Sequence, residues 1–269
     1  MNSAAATAVR AWRLPPLIDN PWLRWGIYLG VLLYLVLAIG SLQINWARVA
    51  EGLERGWRFI SAFAQPNFAG RWGEITEGIL ESIAMAVAST VIGVALAVPV
   101  GLGAARNLAP APVYLVCRAV IALSRTFQEV IIAILFVKMF GFGPLAGMVT
   151  LVVATIGFMA KLLAEGIEGA DRSQIEAIRA TGGSWWQLIN YGVQPQVMPR
   201  FIGLSVYRLD INFRESAVIG IVGAGGIGAT LNTAFDRYEF DTAAAILLVI
   251  IAIVMAAEYS SGHVRRRFQ

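Results

Sequence analysis

Seven ionisable side chains stand in stretches otherwise built of apolar residues. Arg118, Arg125 and Glu129 occupy one stretch, and Arg208, Asp210, Arg214 and Glu215 another. Inserting such a group into a bilayer costs about 2.5–3.5 kcal/mol on translocon scales, so it faces a cavity or a partner rather than lipid. Arg125 with Glu129, and Asp210 with Arg214, have the i, i+4 spacing that puts opposite charges on neighbouring helical turns. Arginine suits a tetrahedral oxyanion because its planar fork donates two parallel hydrogen bonds. Gln128, Asn212 and Ser216 add neutral polar groups beside the charges. The chemistry on offer is passage of an anion, held loosely enough to be released again. The pathway candidates are therefore Arg125, Gln128, Glu129, Arg208, Asn212, Arg214 and Glu215. Salt bridges that merely hold helices in register are the competing reading, and residue types alone leave both open.

A second segment with readable chemistry is Asp171 to Pro199. Ser173-Gln174-Ile175-Glu176 has capping-box spacing and predicts a helix running to Thr181. Gly182-Gly183 then supplies the left-handed residue that ends it. Two turns of helix are too short to stand alone and must be held by neighbours. Ala177, Ala180 and Gly182 are small enough for another backbone to approach closely, and Trp185 and Trp186 follow as interfacial anchors. Other chemistries are excluded by what is missing. The only lysines, Lys138 and Lys161, do not follow glycine, so no Walker A motif exists and the chain is not a P-loop ATPase. One histidine, His263, and one cysteine, Cys117, leave no catalytic triad, disulfide or cysteine metal cluster. Gly223, Gly225, Gly226 and Gly228 include a G-x-G-x-x-G spacing, but an apolar run precedes it and no βαβ unit surrounds it. Those glycines read as a tight hairpin at the outer membrane surface.

The elements that must position these residues follow from composition. Of 269 residues, 58% are hydrophobic and 14% charged, whereas soluble domains carry about 25% charged residues. The expected architecture is all-α and polytopic, with about six membrane helices near 25–42, 78–104, 112–139, 144–165, 197–222 and 241–259. Residues 1–24 then form a tail, 43–76 an external loop, 77–260 a five-helix core with a cytoplasmic loop at 166–196, and 261–269 a basic tail. With both termini cytoplasmic, that side holds Arg10, Arg13, Arg24, Arg106, Arg172, Arg179, Arg200 and Arg265 to Arg267. Arg48, Arg55, Arg58, Arg71 and Arg237 fall on the other side, a balance that obeys the positive-inside rule. Four of these dissenters lie in the aromatic-rich loop 43–76, which reads either as an interfacial amphipathic segment or as a docking site for a partner. The net charge of +4 is not gathered into the stripe a nucleic-acid binder needs.

Glu176-Ala177, Gly182 and Pro195 share the register of the EAA loop of ATP-binding-cassette importer permeases. Gly157–Leu162, Tyr191–Gln196, Arg208–Arg214 and Gly220–Gly228 extend the likeness, over about residues 75–267, to the phosphonate-type permease family, which the chain resembles. It departs from that family at Arg125–Glu129, where Arg-x-Pro-Glu is common, and at Asp210, where glutamate is usual. The resemblance implies a type I ABC importer permease fold and import of phosphonate, phosphite or hypophosphite across a bacterial inner membrane. It further implies a second permease copy, a periplasmic binding protein and a separate ATPase dimer. That dimer would bind ATP and Mg, leaving this chain without cofactor or metal. Glu176, Ala177, Ala180, Gly182 and Gly183 would then form the ATPase-coupling element, and Gly223, Gly225, Gly226 and Gly228 would help form an outer gate. A stand-alone channel or secondary transporter would instead be expected to show an inverted repeat of interrupted helices, and none is visible. An intramembrane enzyme would have only carboxylates to work with.

Overall fold

The computed structural model describes residues 18, 20–42 and 45–268, and every regular element among them is helical. Most of the tail read at 1–24 lies outside the described residues, as do the side chains of Arg265, Arg266 and Arg267. The chain divides into two units, 1–56 and 57–269.

In the first unit, α1 (Pro21–Ser41) begins where Asn20 accepts a hydrogen bond from the Trp22 N–H, with proline at the first helical position. Beyond Arg24 it is apolar, and it is long and apolar enough to cross a membrane. Helix α2 (Trp46–Ala62) starts after Asn45, whose side chain accepts from the Arg48 N–H. The segment expected to be a loop at 43–76 is thus largely helical, and α2 crosses from the first unit into the second.

The second unit is organised around α3 (Trp72–Gly103) and α6 (Pro144–Glu168), which pack along one another. They meet through small residues. A Cβ on Gly93 would sit 2.5 Å from the Thr155 Cβ, so only glycine allows this approach. Helix α6 starts at Pro144 because Gly141 and Gly143 turn the chain with φ of 89° and 138°. Between these long helices the run 112–139 is not one span. It forms α4 (Ala111–Thr126) and α5 (Glu129–Phe140), bent by 93° at Phe127-Gln128, both of which are extended. The expected i, i+4 pairing of Arg125 with Glu129 is therefore overturned, because the two residues end and begin different helices.

Helix α7 (Arg172–Ala180) and the short α8 (Trp185–Gln187) lead through a π-helical turn, Leu188–Val193, into α9 (Gln194–Gly220). Helix α10 (Ile227–Asp236) replaces the expected hairpin, and α11 (Phe240–Phe268) closes the chain. Helices α1, α3, α6 and the 240–259 part of α11 are long and apolar enough to cross a membrane, and the bent α4–α5 pair makes a fifth candidate. Helix α9 is long enough, at 27 residues, but carries Arg200, Arg208, Asp210, Arg214 and Glu215. It packs against α3, α6 and α11, which turns Arg208 and Asp210 inward.

Candidate functional site

Breaking a span at Phe127-Gln128 puts Arg125 in the last turn of α4 and Glu129 in the first turn of α5. Each charge complements the dipole of its own helix end. The two ends open onto a cavity of about 340 Å³ lined by Ser124, Arg125, Phe127, Gln128, Glu129, Ala154, Phe158 and Arg208. At about 30 Å³ of liquid per water, this has room for a small hydrated oxyanion. Four of the seven pathway candidates, from three helices and the break between two of them, thus meet in one place.

Arg208 comes to that cavity already held. Its guanidinium lies 5.4 Å from the centre of the Phe158 ring. Nη2 donates to Glu215 Oε2 at 3.1 Å, and Nε donates to Thr155 Oγ1 at 3.2 Å. Glu129, from α5, lines the same cavity. Only 3% of Arg208 is exposed, so its charge is balanced by protein rather than solvent.

The other candidates go elsewhere. Asn212 is fully buried, with Nδ2 donating to Thr90 Oγ1 at 2.8 Å and to Thr155 Oγ1 at 3.0 Å, so it ties α9 to α3 and α6. Arg214 pairs with Asp210, as the spacing predicted, but Asp210 lines a different, apolar groove between α3, α9 and α11. Arg118 serves the end of α6: Nη2 donates to Glu168 at 2.7 Å and Nε to the Ala104 carbonyl. Thr155 and Phe158 were missed by the sequence reading. The available signal was a hydroxyl and an aromatic three residues apart, on one helical face, in an apolar run.

Helix α7 is capped by Asp171, not by the Ser173–Glu176 box. The Asp171 carboxylate accepts from the Ser173 N–H at 2.9 Å and from Ser173 Oγ at 2.8 Å. These two hydrogen bonds hold the carboxyl below its ordinary range. The reciprocal box exists one element later, between Ser184 and Gln187. At the other end Gly182 takes φ 75°, and its N–H donates to the Arg179 carbonyl. Ile175 is buried in a cluster with Ile167, Leu188, Val193, Val197 and Phe201. That anchor leaves Glu176, Ala177, Ala180 and Gly182 exposed on the outer face, with Gly183 half-buried.

The glycine run is a fixed corner. Gly223, Gly225 and Gly226 have φ of 91°, 78° and 73°. The Gly226 and Ile227 N–H groups, at the start of α10, donate to Glu81 Oε2 at 2.7 Å and Ser82 Oγ at 2.9 Å on α3. The Gly143 N–H donates to the Gly223 carbonyl, and Gly228 lies against the Ala217 carbonyl.

Residues 97–269 match the family described as binding-protein-dependent transport system inner membrane component. The phosphate-import permease protein PhnE of Mycolicibacterium smegmatis is 38% identical over 97% of this chain, which spans 50% of that protein's length. The phosphite transport system permease protein PtxC of Stutzerimonas stutzeri is 36% identical over 90% of this chain and 88% of its own. Among solved structures, an inward-facing MetNI methionine ABC transporter chain superposes with a TM-score of 0.63, 22% identity, and coverage of 75% of this chain and 99% of that one. An amino acid ABC transporter follows at 0.61, with 18% identity and coverage of 72% and 94%.

Proposed function

Since the chain belongs to the family of binding-protein-dependent transport system inner membrane components, we propose that it is the permease subunit of an ATP-binding-cassette importer for a tetrahedral phosphorus oxyanion of the phosphonate or phosphite class. The observation that carries the substrate assignment is the convergence of Arg125, Gln128, Glu129 and Arg208 on one cavity where a span breaks. Two arginines offset the desolvation of an anion. Glu129 and Glu215 temper them, so that the anion is bound weakly enough to leave. PhnE and PtxC are named for phosphate and phosphite transport, which agrees with that charge pattern.

The rest of the assembly follows from the same reading. An ATPase dimer, carrying ATP and Mg, docks on the exposed face of α7 around Glu176, Ala177, Ala180, Gly182 and Gly183. A periplasmic binding protein delivers the anion, a second copy of the permease completes the pathway, and both termini lie in the cytoplasm. Gly223, Gly225, Gly226 and Gly228 then stand at the outer mouth, where a rigid corner limits access. The wall of the cavity moves with alternating access, exposing Arg125 and Arg208 first outward and then inward.

The test is uptake of labelled phosphite and methylphosphonate into proteoliposomes holding the permease, its ATPase and its binding protein. Arg208→Gln is expected to lower uptake at least ten-fold while folded protein and dimer remain. Unchanged uptake would remove Arg208 from the pathway, and uptake without the ATPase would establish a stand-alone transporter instead.

A further inference from the structure

Helix α2 carries an exposed apolar face. Trp46, Val49, Leu53, Trp57 and Ile60 recur at helical spacing and fall within about 80° of arc. Each is between 42% and 70% exposed, apart from Leu53 at 71%. Arg48, Glu51, Arg55 and Arg58 occupy the opposite side of the wheel. We propose that α2 lies along the outer bilayer surface, with this stripe in the acyl-chain boundary and its arginines among the phosphate headgroups of anionic lipid.

Three observations choose lipid over a protein partner. In the first unit, α1 is long and apolar enough to cross a membrane and ends at Ser41, and only four residues separate it from Trp46. Four residues reach at most about 14 Å, so α2 must begin near the membrane boundary. In the second unit, the far end of α2 is pinned at the head of another span. The Phe59 ring packs on Phe235 and Phe240 with centroids 5.5 and 6.0 Å apart. Arg71 pairs with Glu239, and Asn67 hydrogen bonds to Asp241, at the same corner. Helix α2, 17 residues long and carrying Arg48, Glu51, Glu54, Arg55 and Arg58, is not among the helices long and apolar enough to cross, so α3 starts on the side where α1 ends and both ends of α2 sit at one surface. The composition of the two faces is the third observation. Tryptophan bounds the stripe near each end, as in interfacial belts, and the opposite face offers three arginines against Glu51 and Glu54. This also accounts for arginines gathered on the side that the positive-inside rule keeps poor in cations, since at the interface they neutralise lipid phosphate.

The experiment places single cysteines on a Cys117→Ser background in bilayer nanodiscs containing anionic phospholipid, each carrying a nitroxide. Leu53→Cys and Trp57→Cys are expected to show an oxygen-to-nickel accessibility ratio several-fold above that of Arg48→Cys and Arg55→Cys. A flat profile, or nickel access at Leu53→Cys equal to that at Arg55→Cys, overturns the proposal. So does shielding of the stripe that appears only when binding protein is added. If labelled variants do not fold, Trp46→Phe and Trp57→Phe supply the second measurement. Each is expected to remove part of the tryptophan fluorescence quenched by lipids brominated near the headgroup, and an unchanged quenched share is the contrary result. None of these readouts depends on transport, so they separate this proposal from the substrate assignment.

Discussion

Replacing Thr155 with valine isolates the polar tie between the cavity and the helix core. The Thr155 hydroxyl accepts from Arg208 Nε at 3.2 Å and from Asn212 Nδ2 at 3.0 Å, and it lies 3.3 Å from Asn212 Oδ1. Valine keeps the shape but deletes all three contacts. In water each orphaned buried group would cost about 1–3 kcal/mol. Interhelical hydrogen bonds in membranes average about 0.6 kcal/mol, because the unfolded chain in lipid also finds partners. The smaller figure governs here, so the set is worth about 2 kcal/mol. Thr155→Ser keeps the hydroxyl and loses only the methyl that packs on Gly93, which costs about 1 kcal/mol. The order wild type, serine, valine is therefore expected in reversible SDS unfolding followed by circular dichroism. Uptake by the valine variant should fall further than its loss of folded protein, because Arg208 is no longer fixed at Nε. Serine proving as damaging as valine would show that packing, not the hydrogen-bond tie, holds these helices.

Two further predictions concern α7. A side chain on Gly182 would meet nothing within 4 Å, so Gly182→Ala costs only the backbone strain of φ 75°, about 1–2 kcal/mol. Asparagine tolerates that conformation, so protection from hydrogen exchange over 176–182 should fall for Gly182→Ala and stay near wild type for Gly182→Asn; equal values for the two refute the strain account. Because hydrogen bonds hold the Asp171 carboxyl below its ordinary range, its capping is fully present above that range, near pH 4, and is lost as pH falls through the lowered value. Hydrogen exchange over 172–176, corrected for intrinsic rates, should rise in acid for the wild type but not for Asp171→Asn, which caps without titrating.

The long apolar runs were legible because lipid rewards them whatever they pack against, and α1, α3, α6 and α11 fall where composition put them. The break at Phe127-Gln128 was not legible. Neither glycine nor proline marks it in this chain, and within the polar stretch Arg125-Thr126-Phe127-Gln128-Glu129 the turn is set by the packing of α4 and α5 on α6. Reading through that break also produced the false Arg125–Glu129 turn pair, although each residue's place in the cavity was sensed from its charge. Helix α10 could have been read from Ile227, Leu231 and Ala234 on one face, but the glycines before it drew attention to a hairpin. At α7 two capping residues, Asp171 and Ser173, compete within one turn. The choice is made by Gln196, whose Oε1 accepts from the Asp171 N–H at 2.8 Å across 25 residues of sequence. No local pattern contains that contact.

The 93° turn between α4 and α5 also fixes how wet the protein must be. A helix end releases carbonyls, and a helix start releases N–H groups, from intrahelical bonding. At membrane depth such groups are tolerated only against protein or in a water-filled space. On the proposed pathway reading the cavity at Gln128 supplies that space, and an anion arriving there keeps part of its hydration shell. Discrimination at this point then rests on charge and size more than on stripping water.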